Sequence, residues 1–431
     1  MRMTSLSSFA RIAGAAVVIA ALASCTAAPA ATPSATSDAT EAAAGSTCVA
    51  SPETVATTPL PAGASEPLDP AVVDELRLAA EAGFDMASAP GAVVGVQTPD
   101  GTWTEAFGVA DPATGTPLEV DDIFRIGSIT KTFTGSLVLQ LVESGELSLD
   151  DTIDQYVDGV PNGDEVTIRM LLNMTSGIAS YGLNEDWVNT YETAPTTAWT
   201  PDQLLDAGFS VSPLFAPGAE FNYSNTNFIL LGEVIEEVTG EPYPDVLEAQ
   251  ILEPLSLTDT YFPDSSELPD PHPKGFSLQG TPDDSQEPVD ATDWSPTAAW
   301  TAGQIVSTVD DMLLWGHALV TGQGILDEEM SIERLTSFPE DEGYGYAMGC
   351  LGGWVGHTGE IAGFNTTVYH DTTSDTTVIV IVTSDIPSGD CTVSKTLADN
   401  TTAMPCMSPA TRIFVSLSKA LGHPFTPIPM S

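Results

Sequence analysis

The sequence predicts a mixed α/β domain: a central antiparallel sheet with flanking helices and a helical subdomain. Three observations carry that expectation. Segments with strand character lie near both ends of the chain, at 91–98 and 102–109 and again at 363–369 and 376–383. Segments with helical apolar spacing fill the long interval between them. Strands grouped at the ends, not alternating with helices one by one, point away from a doubly wound parallel sheet. The 431 residues suffice for one large domain plus export and linker sequence.

In chain order, Arg2 and Arg11 precede the apolar run 12–22, IAGAAVVIAAL, which is too short for a membrane-spanning helix of about 20 residues. Leu22-Ala23-Ser24-Cys25 follows and resembles a bacterial lipobox, in which cleavage precedes a cysteine that is then lipidated. The expectation is a lipoprotein signal peptide over 1–24 and lipidated Cys25, placing the protein on the extracytoplasmic face of a bacterial cell membrane. Residues 26–68 are rich in Ala, Thr, Pro and Ser, so 25–68 reads as a lipidated N-terminus and flexible tether. The main folded domain is then 69–405, with a C-terminal extension over 406–431.

Within the domain, 71–84 has a helical pattern, and the strands at 91–98 and 102–109 meet around Pro99-Asp100-Gly101, a hairpin turn. A helix starts near Ser128 and runs to Val142, with Ser128 at an early or capping position. Further helices are expected at 167–174, 225–238, 243–252 and 310–319. The segments at 363–369 and 376–383 then supply strands of the sheet. A short helix around 413–421 is one reading of the tail.

The formal charge is −49, from 11 basic and 60 acidic residues. A surface of that sign repels nucleic acid and anionic headgroups, so a nucleic-acid partner is excluded. Removing residues 1–24 leaves nine basic residues and every acidic one. Cys48, Cys350, Cys391 and Cys406 then remain, in a compartment that permits disulfides. Their spacing is no zinc signature, and three pairings are open. Cys391 with Cys406 closes a short loop, and Cys350 is also within reach of either.

Three separated motifs carry the chemistry. Ser128-Ile129-Thr130-Lys131 sets a hydroxyl and an amine three residues apart, neighbours on a helix. A serine hydroxyl alone is a weak nucleophile; a desolvated, neutral lysine amine takes its proton. Tyr223-Ser224-Asn225 offers a phenol to relay a proton and an amide to orient Lys131 and the substrate. His357-Thr358-Gly359 offers a histidine that donates or accepts, a hydroxyl for a substrate carbonyl or carboxylate, and a glycine that permits close approach.

Their order, with RIGSITKTFTG at 125–135, LLNMTSG at 171–177, Pro217-Gly218 and Ser307-Thr308, resembles the penicillin-recognising serine hydrolases over 72–382. Within that family it is similar to the class C β-lactamase-like branch and to secreted serine D-alanyl-D-alanine carboxypeptidases with a His-Thr-Gly motif. The resemblance implies a β-lactamase/transpeptidase-like fold and an ester formed on Ser128, with Lys131 and Tyr223 carrying protons. It also implies an oxyanion hole from the backbone N–H groups of Ser128 and Glu360. Trp300 is either a wall of the substrate cleft or a core aromatic. No metal or organic cofactor is called for, and a monomer is the default.

The leading expectation is D-alanyl-D-alanine carboxypeptidase activity on acyl-D-Ala-D-Ala cell-wall peptides. Such an enzyme holds a terminal carboxylate, yet no Lys or Arg occurs between Arg334 and His357. Lys274 or Arg334 would then have to arrive from a loop. An esterase or D-amino-acid amidase acting on small esters or amides, or a β-lactamase, is the alternative within the family. An inactive, lipid-anchored binding or sensor protein is the alternative outside catalysis.

Overall fold

The computed structural model describes residues 48–60, 66–270, 272–282, 285–339 and 343–427. Eight strands build one sheet: β1 (Gly91–Thr98), β2 (Gly101–Asp111), β3 (Thr116–Pro117), β4 (Gly343–Tyr344), β5 (Gly349–Leu351), β6 (Trp354–Ile361), β7 (Phe364–Asp371) and β8 (Thr376–Val382). Their order is β3-β2-β1-β8-β7-β6-β5-β4, with every pairing antiparallel. The first and last parts of the domain therefore meet at the centre of the sheet, where Ala92 pairs with Val382 and Val96 with Val378.

The sheet is covered on both faces, which explains why its central strands read as nearly continuous apolar runs. Val93, Ile379 and Ile381 point into the larger core, whereas Ala92, Val94, Val378 and Val380 point into the smaller one. The smaller core is capped by helix α1 (Pro70–Phe84) and by the last helix, Pro409–Ala420. Helix α2 (Thr130–Glu143), α3 (Asn225–Thr239) and α4 (Val309–Thr321) lie in the larger core, with shorter helices at Ile168–Leu172, Glu185–Thr193 and Pro201–Phe209.

Three expected boundaries move. The tether was expected to reach residue 68, but Pro52–Ala56 is helical, Val49, Val55 and Ala56 are buried, and Cys48 is joined to Cys350. Apolar residues and a disulfide fix this end to β5. The presumed extension from 406 is the Pro409–Ala420 helix, whose Ala410, Ile413, Phe414 and Leu417 complete the smaller core. The helix expected over 243–252 is α-helical only at Tyr243–Leu247 and widens to a π-helical turn at Glu248–Leu252. Cys391 pairs with Cys406, which leaves Cys350 for Cys48. The lipobox and Cys25 lie outside the described residues. Among the described residues no helix is long and apolar enough to cross a membrane.

Candidate active site

Ser128 lies in a 3-10 turn, Gly127–Ile129, between the short strand Phe124–Arg125 and α2. Gly127 has φ +53°, and a Cβ there would stand 2.7 Å from the Glu360 nitrogen. A Cβ on Gly359 would collide with the Ile126 carbonyl oxygen. The two glycines let β6 and the serine turn touch backbone to backbone. The close approach brings the Glu360 main chain against the residue before Ser128.

Helix α2 holds Lys131 fully buried. The residue is 0% exposed, and Nζ lies 2.9 Å from Ser128 Oγ and 2.6 Å from the Ala302 carbonyl oxygen. The rings of Tyr223 and Phe228 stand 5.0 and 5.7 Å from Nζ. Burial drives the Lys131 pKa well below that of a free lysine. Once deprotonated, the amine can donate to Ala302 and turn its lone pair to the Ser128 hydroxyl proton, the arrangement a general base needs. The segment 300–305 is fixed along α2 by further bonds: Thr134 Oγ1 to the Thr301 carbonyl, 2.7 Å, and the Ile305 N–H to Thr130 Oγ1, 3.1 Å. That explains the hydroxyls inside an otherwise apolar helix.

Tyr223 precedes α3. The Asn222 N–H donates to the Met174 carbonyl at 3.0 Å, and the Gly218 N–H to the Thr175 carbonyl at 2.8 Å. Asn227 bonds the Leu171 carbonyl and Ser176 Oγ. The stretch 171–177 thus scaffolds the loop that presents the tyrosine. Burial raises the Tyr223 pKa and a hydrogen bond with Ser128 draws it back, leaving a neutral phenol in reach of the nucleophile.

His357 on β6 is buried, and burial first, then Lys131, lowers its pKa to about 3. Its Nδ1 meets the Thr358 carbonyl, which only accepts, so Nδ1 carries the proton. Nε2 then accepts from the Tyr344 hydroxyl at 3.0 Å. Tyr344 also packs edge-on against Tyr223, with ring centroids 6.0 Å apart. Thr358 and Glu360 project from the other face of β6 and are exposed.

The structure thus gathers Ser128, Lys131, Tyr223, His357 and the Glu360 backbone at one place. Lys131 bonds Ser128 and Ala302, and the asparagine that ties this region together is Asn227. Asn225 is at the first position of α3, where its backbone N–H donates to Ser180 Oγ at 3.4 Å. Trp300 resolves toward packing, because its ring stands against Tyr243 at 6.2 Å and crowds Gly232 on α3. Neither expected cation supplies a carboxylate anchor. Lys274 is 3.6 and 3.4 Å from Asp111 and Asp290. Arg334 is 1% exposed and bonds Ser136 and Thr132 of α2. Tyr344 and the Ala302 carbonyl were missed. Tyr344 stood in GYGYAM, a segment read only for charge, and a backbone carbonyl leaves no mark in a sequence.

Comparison with known proteins agrees with this geometry. The family model described as Beta-lactamase matches residues 77–401. A D-stereospecific amidohydrolase from Streptomyces sp. superposes with TM-score 0.66 at 30% identity, covering 72% of this chain and 94% of that one. Penicillin-binding protein 4* of Bacillus subtilis is 31% identical over 39% of this chain and 37% of its own length. Penicillin-binding protein 4 of Amycolatopsis lactamdurans is 29% identical over 52% and 58% respectively. The chain thus spans about half the length of the curated relatives it matches, or less.

Proposed function

The chain belongs to the β-lactamase family, the penicillin-recognising serine hydrolases, and from that premise we propose that it hydrolyses small esters and D-amino-acid amides through an ester on Ser128. The observation that carries the catalytic part is the Lys131 amine, fully buried, its pKa pushed well below that of a free lysine, and 2.9 Å from Ser128 Oγ. In this reading Ser128 Oγ attacks the substrate carbonyl while its proton passes to Lys131 Nζ. The oxyanion rests on the N–H groups of Ser128 and Glu360. Tyr223, a neutral phenol, hands a proton to the departing alcohol or amine, and Lys131 resupplies it. Water then attacks the ester with the same groups acting in reverse, releasing the acid and restoring Ser128.

The substrate class follows from charge. Burial lowers the pKa of both Lys131 and His357, Lys274 is paired with carboxylates, and Arg334 is turned into α2. A site whose nearby cations are buried or paired suits an uncharged ester or amide better than a terminal carboxylate. The solved amidohydrolase of Streptomyces sp. supports the amide and its D configuration. The carboxypeptidase reading keeps one observation in its favour, the exposed Thr358 hydroxyl on β6, together with the penicillin-binding relatives. Purified domain from residue 48 onward, offered p-nitrophenyl esters, D- and L-amino-acid amides and acyl-D-Ala-D-Ala, separates the two. The proposal expects Ser128-dependent cleavage of esters and D-amides with little D-alanine release. Release of D-alanine as the faster reaction overturns the substrate assignment.

Export and anchoring through Cys25 complete the proposal. They rest on the lipobox and on the two disulfides, which suit an oxidising compartment.

A further inference from the structure

We propose that the cavity between the β1–β2 hairpin and the start of α4 binds a small organic cation through a primary ammonium group. The inference is independent of the hydrolase reading above, because the cavity stands apart from Ser128.

The register of the hairpin builds the cavity floor. Gln97 lies opposite Thr102 and Gly95 opposite Thr104, so Gln97, Thr102 and Thr104 share one face of the sheet. That face is covered by α4, since a Cβ on Gly95 would meet Val309 and Leu313. The segment 66–68 borders the edge of β2. There the Thr102 N–H donates to the Glu66 carbonyl at 2.8 Å, and the Leu68 N–H to the Thr102 carbonyl at 3.2 Å. The space between these elements is about 380 Å³. Among the residues lining it, Glu66 and Asp310 bring carboxylates, Gln97 an amide, and Thr102 and Thr104 hydroxyls. Pro67 and Leu313 supply an apolar part, and no Lys or Arg lines the cavity.

Two of these oxygens are orphans. Gln97 is 7% exposed, its Oε1 is buried, and nothing donates to it. Thr102 Oγ1 is likewise buried without a partner. Buried polar atoms are nearly always hydrogen-bonded, because losing water without a replacement is costly. Two orphans from facing residues of one cavity therefore point to a ligand that donates.

The charge around them points the same way. Partial burial, then Asp259 and Asp121, raise the Asp310 pKa, so carboxylates crowd this place with no cation among the lining residues. Amide, hydroxyl and carboxylate oxygens all accept, which suits the three N–H donors of an ammonium head. Among the described residues no three carboxylate, imidazole or thiolate groups gather as a metal site needs. The volume also matches a small molecule better than a lone ion, and Pro67 and Leu313 would carry its short apolar body. The cavity lies roughly 17 Å along the strands from the sheet end that meets the Ser128 turn. Gln97 pairs with Thr377, whereas Glu360, beside that turn, is aligned through Asn365 and Val382 with Ala92.

The test titrates n-butylammonium chloride into the full-length protein by calorimetry at fixed ionic strength, with tetramethylammonium chloride and calcium chloride as comparisons. One butylammonium should bind per chain with a Kd of about 1 mM or tighter. Tetramethylammonium, which has no N–H, should bind at least about tenfold more weakly. Glu66→Gln, Thr102→Val and Gln97→Leu should each weaken butylammonium at least about fivefold. No saturable butylammonium binding, equal binding of tetramethylammonium, or tighter binding of calcium overturns the inference. So does an affinity that Glu66→Gln and Thr102→Val both leave unchanged. If Gln97→Leu fails to fold, Glu66→Gln, on an exposed residue, decides.

Discussion

At Lys131, burial and hydrogen bonding act on the same proton. A lysine whose folded pKa lies below its unfolded value binds fewer protons in the native state at every pH between the two. Native stability therefore rises as pH climbs toward the unfolded value and is lower, by a constant amount, below the folded one. Lys131→Met removes that penalty while keeping the volume. It should cut kcat at least about 1,000-fold and raise Tm at neutral pH by at least about 2 °C. Both are read from ester hydrolysis and a thermal melt, and a Tm that falls contradicts a desolvated amine. The pH profile should keep its activity at neutrality and lose it only on the acid side, as Lys131 takes up a proton. Tyr344→Phe tests the neighbouring bond: without a donor to His357 Nε2, kcat/KM should drop about 5- to 10-fold. An unchanged rate would leave Tyr344 a packing residue.

Much of this was readable from residues three apart or in one short motif. Ser128 and Lys131 meet because a helical turn brings them together, and His357 to Glu360 alternate because they form a strand. Two asparagines, Asn225 and Asn227, stand two positions apart, and only the packing of α3 on the 171–177 stretch decides which one is turned inward. Trp300 and Arg334 were ambiguous for a similar reason, since burial depends on partners distant in the chain.

At the scale of elements, the site is a contact between a strand and a turn that depends on two glycines. Gly359→Ala would drive a methyl group into the Ile126 carbonyl, pushing β6 from the Ser128 turn. The expected cost is about 2–3 kcal/mol of stability, with at least a tenfold loss in kcat, measured by urea unfolding and ester hydrolysis. Native-like stability and rate would mean that the strand approaches the turn less closely than described. The long strands β1, β2, β7 and β8 and the long helices were legible from their apolar periods, whereas β6 was not. The edge strands β4 and β5, two and three residues long, were not, because a pattern of period two needs more residues to show. The helices Glu185–Thr193 and Pro201–Phe209 were missed as well, and the first of these contains no buried residue to mark a face.

Across the whole molecule, the ends of the domain close on each other. β1 and β8 pair at the centre of the sheet, α1 packs with the Pro409–Ala420 helix, and Cys48–Cys350 binds the N-terminal segment to β5. A covalent loop of this length restricts the unfolded chain strongly. Replacing both Cys48 and Cys350 by Ser should lower unfolding free energy by about 2–4 kcal/mol, read by urea denaturation. An unchanged midpoint would show that packing of Val49 and Val55 already holds the segment. These long-range closures escaped the sequence reading because pairing among four cysteines, and the docking of a terminal helix, are decided by the assembled core.

The central claim is an ester on Ser128, and intact-protein mass spectrometry during turnover of a slow acyl substrate tests it most directly. Acid quenching should trap one added acyl mass on the peptide that spans Ser128 and Lys131, with none in Ser128→Ala. Turnover without an adduct, or an adduct on another residue, would contradict the account.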